Sequence, residues 1–228
     1  NSMADDLEAR ADALAASDRV RRQLLADVSH ELATPVTAMR GFLETLTMPD
    51  LSIDEATRAR YLGILGEETS RLERIIGDLL DLARLEGGGD SFVIGEVPVT
   101  PLFERVRSRH TRACADAGVT MAVSIDPSAD KVQGDADRLE QALQNLAANA
   151  VRYAPRGTAI TLSARPAAGG VTLAVSDEGP GIDAEHLPHV FDRFYKAEAS
   201  RTVETPSSGS GLGLSIVKAI VERHGGHI

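Results

Sequence analysis

Apolar positions early in the chain step by three and four. Leu25, Val28, Leu32, Pro35, Met39, Phe42 and Leu46 form one seam, with Leu7, Leu14 and Val20 as a thinner continuation ahead of it. That alternation is the heptad stripe of a helix packed in a coiled coil or bundle. It predicts one long helix from about residue 4 to 48, broken by Pro49-Asp50-Leu51-Ser52. Ser52 or Asp54 can cap the next helix, with Asp54 and Glu55 favourable in its first turn. That second helix is expected to reach about Glu86 on the stripe Leu62, Leu65, Thr69, Leu72, Ile76, Leu79 and Ala83. A hairpin with one apolar stripe per helix buries itself poorly alone. Pairing with a second copy as a four-helix bundle is the natural solution.

After Gly87-Gly88-Gly89-Asp90, which reads as a hinge-like linker and a domain boundary, the period changes. Strands are expected at 92–97, 119–125, 131–133, 158–164 and 171–176, the last two joined by Arg165-Pro166-Ala167-Ala168-Gly169-Gly170. Helices are expected at 100–117, 135–152 and 212–223. Residues 196–210 have almost no apolar content and read as a mobile loop.

Composition narrows the function. The 228 residues, 43% hydrophobic and 25% charged, fit one large or two modest soluble domains with aliphatic cores, since aromatics are 4% and Trp is absent. A net charge of -10 argues against a nucleic-acid binder and against adhesion to an anionic membrane. The single cysteine, Cys114, excludes an internal disulfide, fits a reducing compartment, and reads as a small buried filler rather than a nucleophile. No apolar run reaches a membrane span and no signal peptide is evident. Asn1-Ser2 ahead of Met3 reads as a cloning remnant on a piece of something larger.

Candidate chemistry begins in Asp27-Val28-Ser29-His30-Glu31-Leu32-Ala33-Thr34-Pro35. His30 is off the seam and faces solvent, Glu31 is its neighbour, and Thr34 lies one turn on at i+4. A surface His beside a Glu is ordinarily without function. Pro35 changes that weighing, because proline inside a helix costs about 3 kcal/mol and marks a place where the helix bends. The second reason is a group of glycine-bearing and amide-bearing stretches further along the chain.

In Asp177-Glu178-Gly179-Pro180-Gly181, an Asp at a strand end can accept from an exocyclic amine such as that of adenine. Gly179 and Gly181 let the backbone pass close to a flat ring. A plain turn explains that pentapeptide alone equally well. Gly209-Ser210-Gly211-Leu212-Gly213-Leu214 opens the last helix, where unhindered N–H groups make an anion cradle. It does not read as a Rossmann fingerprint and lacks the Lys-Ser/Thr of a Walker loop. Asn145 and Asn149 project from one helix face. Core satisfaction is the usual role of such amides, but their oxygens can also ligate Mg²⁺. Arg152 and Tyr153 follow as a phosphate partner and a flat surface.

In this order the pieces resemble the histidine protein kinases of two-component signalling, over nearly the whole chain after residue 20. Ser29 to Pro35 resembles the phosphoacceptor box, Asn145 to Tyr153 the asparagine box, and Asp177 to Gly181 the first glycine box. Phe191-Asp192-Arg193-Phe194 resembles the phenylalanine box, and Gly209 to Leu214 the second glycine box. The resemblance implies an α+β chain: a dimeric antiparallel helical hairpin followed by an α/β sandwich ATP-binding domain of the GHKL type. The domains expected are 1–20, an N-terminal linker helix; 21–88, dimerisation and histidine phosphotransfer; and 89–228, the ATP-binding catalytic domain, shortened at its C-terminal end. Family members usually continue past His224-Gly225-Gly226-His227-Ile228 with further strands, so an unpaired sheet edge is expected.

By the same resemblance His30 is the residue phosphorylated from Mg-ATP, and Glu31 orients its imidazole and accepts its proton. Thr34 positions a water for dephosphorylation of the partner. Asn149 holds Mg²⁺ with Asn145 nearby, Asp177 reads the adenine amino group, and Tyr153 lies against the nucleotide. Arg152 stands where the family commonly has Lys. Gly179 and Gly181 shape the adenine side, and Gly209, Gly211, Leu212 and Gly213 wrap the phosphates. The implied partners are a second copy and a response-regulator receiver domain. The implied setting is the cytoplasmic portion of a bacterial inner-membrane protein, with no membrane contact in this stretch. Two other classes remain open at this stage: a catalytically weak dimeric docking scaffold, and a GHKL-type ATPase without a phosphohistidine.

Overall fold

The computed structural model describes residues 2–49, 51, 53–87, 92–196 and 209–228, with side chains for residue 22 and from 24 onward. The side chains of the early seam (Leu7, Leu14, Val20), the Ser52 cap, the Gly88-Gly89-Asp90 stretch and loop residues 197–208 lie outside the described residues. The chain divides into two compact units, the first reaching Gly77 and the second beginning at Asp78.

The first unit holds α1 (Ser2–Thr47) and most of α2 (Glu55–Glu86). Asp54 caps α2: one carboxylate oxygen accepts the Thr57 N–H at 2.8 Å and the other the Thr57 hydroxyl at 2.9 Å. The Thr57 amide, then its hydroxyl, hold that carboxyl below the usual carboxylate value. The helices run antiparallel: Phe42 meets Tyr61 at 5.0 Å between ring centres, Met39 meets Thr69, and Glu31 meets Arg71. Pro35 and Ile75 are buried between them.

The α2 stripe differs from the expected one. Leu65, Leu72 and Leu79 are half-buried, whereas Leu62 is 56% and Ile76 48% exposed, and the fully buried residue is Ile75. On α1, Val36 and Leu43 are likewise exposed while Leu32, Met39 and Phe42 are covered. The apolar surface is thus wider than one partner helix can cover, which is why a single 3–4 stripe misassigned its inward side. Helix α1 is continuous through Pro35.

The second unit carries two small sheets. In one, β1 (Gly95–Pro98) pairs antiparallel with β3 (Lys131–Gly134). In the other, β4 (Ala159–Ala167) is central, parallel to β2 (Thr120–Ile125) and antiparallel to β5 (Gly170–Ser176). Ile160, Leu162 and Ala164 of β4 alternate into the core, the period-two signature of a strand. Leu162 and Ala164 share a core with Leu102, Phe103 and Val106 of α3 (Val99–Ala117) and Leu143 and Ala147 of α4 (Ala136–Tyr153), while Ile160 packs with Cys114, Val119 and Ala150. Cys114 is buried, and burial pushes its thiol pKa up, as suits a filler.

Two expected boundaries move. Strand β4 continues through Arg165-Pro166-Ala167 rather than ending at 164. Its β2 neighbour stops at Ile125, opposite Ala164, so Pro166 has no partner on that side to disappoint, and Gly169 at φ 87 closes the turn into β5. Phe92 is not in a strand. Its ring packs edge-on to His224 at 4.9 Å and under the Arg223 guanidinium at 4.3 Å.

The last turns of α2 belong to this second unit. Leu82 and Leu85 are buried with Ala142, Leu212, Ile216, Val217 and Ile220, the last four from the opening and body of α5 (Gly213–Arg223). Asp81 accepts from Gln141 at 2.7 Å, Arg223 donates to the Leu85 carbonyl at 3.2 Å, and Glu86 pairs with Arg193.

Candidate active site

Helix α4 is the rail on which the second unit's candidate residues are assembled. Its start is tied down twice. Asp135 caps it, accepting from the Asp137 and Arg138 amides at 3.1 Å each and from Val93 at 2.8 Å. Burial works to raise the Asp135 pKa, but the Val93, Arg138 and Asp137 amides outweigh it and hold the carboxyl below its ordinary value. The Asp135 N–H in turn donates to His224 Nε2 at 2.9 Å.

Two glycine-bearing turns meet this helix at different points. Asn145 donates Nδ2 to the Gly213 carbonyl at 3.3 Å, bringing the start of α5 beside the middle of α4. At the C-terminal end, Gly179 sits so close that an added Cβ would lie 3.0 Å from the Tyr153 carbonyl and 2.6 Å from Asp177 Oδ1. Asp177 follows β5, as expected of an Asp at a strand end, and Oδ1 accepts the Gly179 N–H at 2.7 Å. That bond leaves Oδ2 as the outer acceptor of an exposed carboxylate. Tyr153 is 43% exposed, with the Arg152 guanidinium 5.3 Å from its ring centre. From Asn145 to Tyr153 is eight residues of helix, about 12 Å. An acceptor and a flat ring therefore stand at one end and a glycine-opened helix start at the other, a layout for an elongated ligand.

At the α5 end, Leu212 makes no side-chain cap, so the first-turn N–H groups have no capping oxygen from that residue. The Leu212 side chain is buried in the core, so only its main chain can serve a ligand. Gly211 has φ 76, and a Cβ there would fall 2.7 Å from Phe194 Cα. Gly181 also has φ 76, with open space where a Cβ would be. Gly209 is half-buried and falls in the first unit.

The arrangement fits Mg-nucleotide. The Asn145 amide is oriented by Gly213, leaving Oδ1 as an acceptor, and Asn149 is half-buried on the same face. Oxygen donors that leave room for water and phosphate are what Mg²⁺ takes. A separate cavity of ≈ 430 Å³ lies between α3 and α4, lined by Arg109, His110, Gln141, Gln144 and Asn145 and by none of Asn149, Tyr153, Asp177 or the glycines, so it is not the nucleotide site. Burial lowers the pKa of His110.

In the first unit His30 is exposed, as its place off the seam predicts. The Thr34 hydroxyl, also exposed, donates to the His30 carbonyl at 3.1 Å. Glu31 is turned the other way: it is only 17% exposed and lies 3.5 Å from Arg71. Sequence reasoning names Arg193, Phe194 and Gly211 only as members of motifs, without the contacts they make, and does not name Arg71 at all. The one available signal was a charged residue beside the apolar stripe of α2.

Residues 20–88 match the His Kinase A (phospho-acceptor) domain, and residues 134–228 match the histidine kinase-, DNA gyrase B- and HSP90-like ATPase family. The chain is 38% identical over 219 residues to the sensor protein DivL of Caulobacter vibrioides, covering 96% of this chain and 27% of that one. Among solved structures, the Acinetobacter baumannii histidine kinase AdeS superposes with a TM-score of 0.66 at 26% identity, covering 85% of this chain and 86% of AdeS. The histidine kinase ThkA, solved in complex with the response regulator TrrA, superposes at 0.70 with 25% identity, covering 90% of this chain and 55% of ThkA. With a phosphoacceptor hairpin and a GHKL ATP-binding domain in this order, the chain belongs to the sensor histidine kinases. It spans about a quarter of the length of DivL.

Proposed function

We propose that this chain is the cytoplasmic core of a sensor histidine kinase that phosphorylates His30 from Mg-ATP and passes the phosphoryl group to a response-regulator aspartate. The observation that carries this reading is the exposed imidazole of His30, held on a helix with Glu31 and Thr34. A neutral imidazole carries one ring nitrogen with a free lone pair, the nucleophile this transfer needs. Its free ring nitrogen attacks the γ-phosphorus, the bond to the bridging oxygen breaks, and ADP leaves. Glu31 accepts the proton from the other ring nitrogen. Asn149 and Asn145 would hold Mg²⁺, which supplies charge neutralisation at the phosphates. Asp177 reads the adenine amine, Tyr153 lies against the ring, Arg152 pairs with phosphate, and the main chain at Gly211, Leu212 and Gly213 cradles the phosphates.

The active form is a homodimer in this reading, supported by Val36, Leu43, Leu62 and Ile76, apolar side chains left exposed along the hairpin. Regulator docking is supported by a ≈ 620 Å³ groove lined by Thr34, Thr37, Ala38, Gly41 and Tyr61, and by the regulator bound to ThkA. Thr34 would position the water for phosphatase action. The functional division is residues 21–88 for phosphotransfer and 89–228 for ATP binding. Among the described residues no helix is long and apolar enough to cross a membrane, and membrane attachment would come from elsewhere in the full-length protein.

Labelled ATP and Mg²⁺ test the proposal. The label on the chain should be lost in acid, persist in base, and be absent from a His30→Gln protein. Steady ATP turnover indifferent to His30→Gln would replace the kinase with a simple ATPase.

A further inference from the structure

Glu86 closes the last turn of α2, where the helix dipole is negative and a carboxylate is poorly placed. Two arginines from elsewhere in the second unit meet that turn. Arg223 donates to the Leu85 carbonyl at 3.2 Å, and Arg193 pairs with the Glu86 carboxylate. The Glu86–Arg193 pair is the one that leads onward to the glycine turn. The residue after Arg193 is Phe194, whose φ is 61 and whose N–H donates to the Gly211 carbonyl at 2.9 Å. The Phe194 side chain also packs against the cluster that holds Leu82 and Leu85 with Leu212 and Ile216. The end of α2 therefore reaches this joint twice, once by charge and once by apolar contact. An aromatic residue does not hold left-handed backbone by local preference, so its surroundings must impose it.

We propose that Arg193 is a positioning residue: its pair with Glu86 holds Phe194 in the conformation that closes on Gly211, and so keeps the main chain from Gly211 to Gly213 open to nucleotide phosphates. The last turn of α2 is in this way a determinant of ATP affinity, although a carboxylate is itself no ligand for phosphate. This deepens the kinase reading and rests on it, since that reading makes Gly211, Leu212 and Gly213 the phosphate cradle. The two side chains are 29% and 43% exposed. Water screens such a pair, so its effect is several-fold rather than all-or-none.

The test uses the full chain and two titrants. Glu86→Gln should weaken Mg-ATP binding about threefold to tenfold in calorimetry, and Arg193→Gln by a similar factor. The double variant should bind no more weakly than the worse single one. Adenosine, which has the adenine but no phosphate, should bind all three variants as it binds the parent. If Arg193 were instead a direct phosphate ligand, Glu86→Gln would free it and tighten ATP. Tighter or unchanged ATP binding in Glu86→Gln, additive losses in the double variant, or an equal loss of adenosine affinity each overturn the proposal.

A second readout needs no nucleotide. Hydrogen exchange at the Phe194 amide should accelerate about threefold or more in Glu86→Gln. Asp81→Ala breaks a different tie of α2, the one to Gln141 at 2.7 Å, and should leave the Phe194 amide as in the parent. Equal acceleration in both would mean a general loosening of α2 and would sink the specific link. Should Arg193→Gln not fold, Glu86→Gln carries both arms alone. A parent chain that binds no ATP would remove the cradle reading, and exchange at Phe194 would then decide the joint by itself.

Discussion

The main-chain N–H of Phe194 donates to the carbonyl of Gly211 at 2.9 Å, and Phe194 adopts φ 61 at that contact. Left-handed backbone is uncommon for an aromatic residue and costs of order 1–2 kcal/mol. The phenylalanine and second glycine motifs are therefore one structural unit, with the strained residue on one side and the side-chain-free residue on the other.

Gly211→Ala should break that unit. Its Cβ would meet Phe194 backbone at 2.7 Å in a left-handed conformation, a cost of about 2–3 kcal/mol. Calorimetric ATP binding should be lost or weakened more than tenfold, with a lower unfolding midpoint. Gly181→Ala has the same φ but open space around its Cβ, so only about 1–2 kcal/mol of backbone strain is expected there. Equal effects at the two positions would show that the Phe194 contact is irrelevant.

Asp177→Asn separates turn from recognition. The new Oδ1 can still accept the Gly179 N–H, so unfolding should move by less than about 0.5 kcal/mol. The charged acceptor proposed for an adenine amine is lost, and on that reading ATP affinity should fall about tenfold or more. Unchanged affinity in a binding titration would remove Asp177 from the site.

His224 bridges two helices with one tautomer. Nδ1 faces the Ile220 carbonyl at 2.7 Å and must donate, so Nε2 is the acceptor for the Asp135 N–H at 2.9 Å. His224→Ala should cost about 1–3 kcal/mol in chemical denaturation and loosen the start of α4. Hydrogen exchange at the Asp135 amide should accelerate, and protection retained there would contradict the bridge.

His110 gives a pH signature. Burial lowers its folded pKa below the ordinary value, so the unfolded chain binds more protons across the interval between the two. Stability should therefore fall as pH drops from the unfolded His value of roughly 6.5 toward the lower folded one. His110→Phe should flatten that part of a stability-against-pH curve. A curve identical to the parent's would mean that His110 titrates alike in both states.

Pro35→Ala tests the bend. The proline removes the N–H that would reach the Glu31 carbonyl, next to the proposed phosphoacceptor. Restoring it should shift the ratio of kinase to phosphatase activity, measured on the same preparation. A ratio that stays put would leave Pro35 with a packing role between α1 and α2.

Sequence periodicity alone determined that a helical hairpin precedes a mixed α/β unit, because the 3.6 and 2.0 periods are local properties of the backbone. It also placed His30 outward, Asn145 and Asn149 on one face, and Asp177 at a strand end, since each depends on position along a single element. Tertiary structure decided the rest. The inward side of α2 was set by packing that buries Ile75 rather than Ile76. Leu82 and Leu85 joined the second unit through side chains on α4 and α5, and Glu31 was paired with Arg71 from another helix. Each of these is a contact between residues far apart in the chain, and packing energy between distant groups leaves no period for the sequence to display.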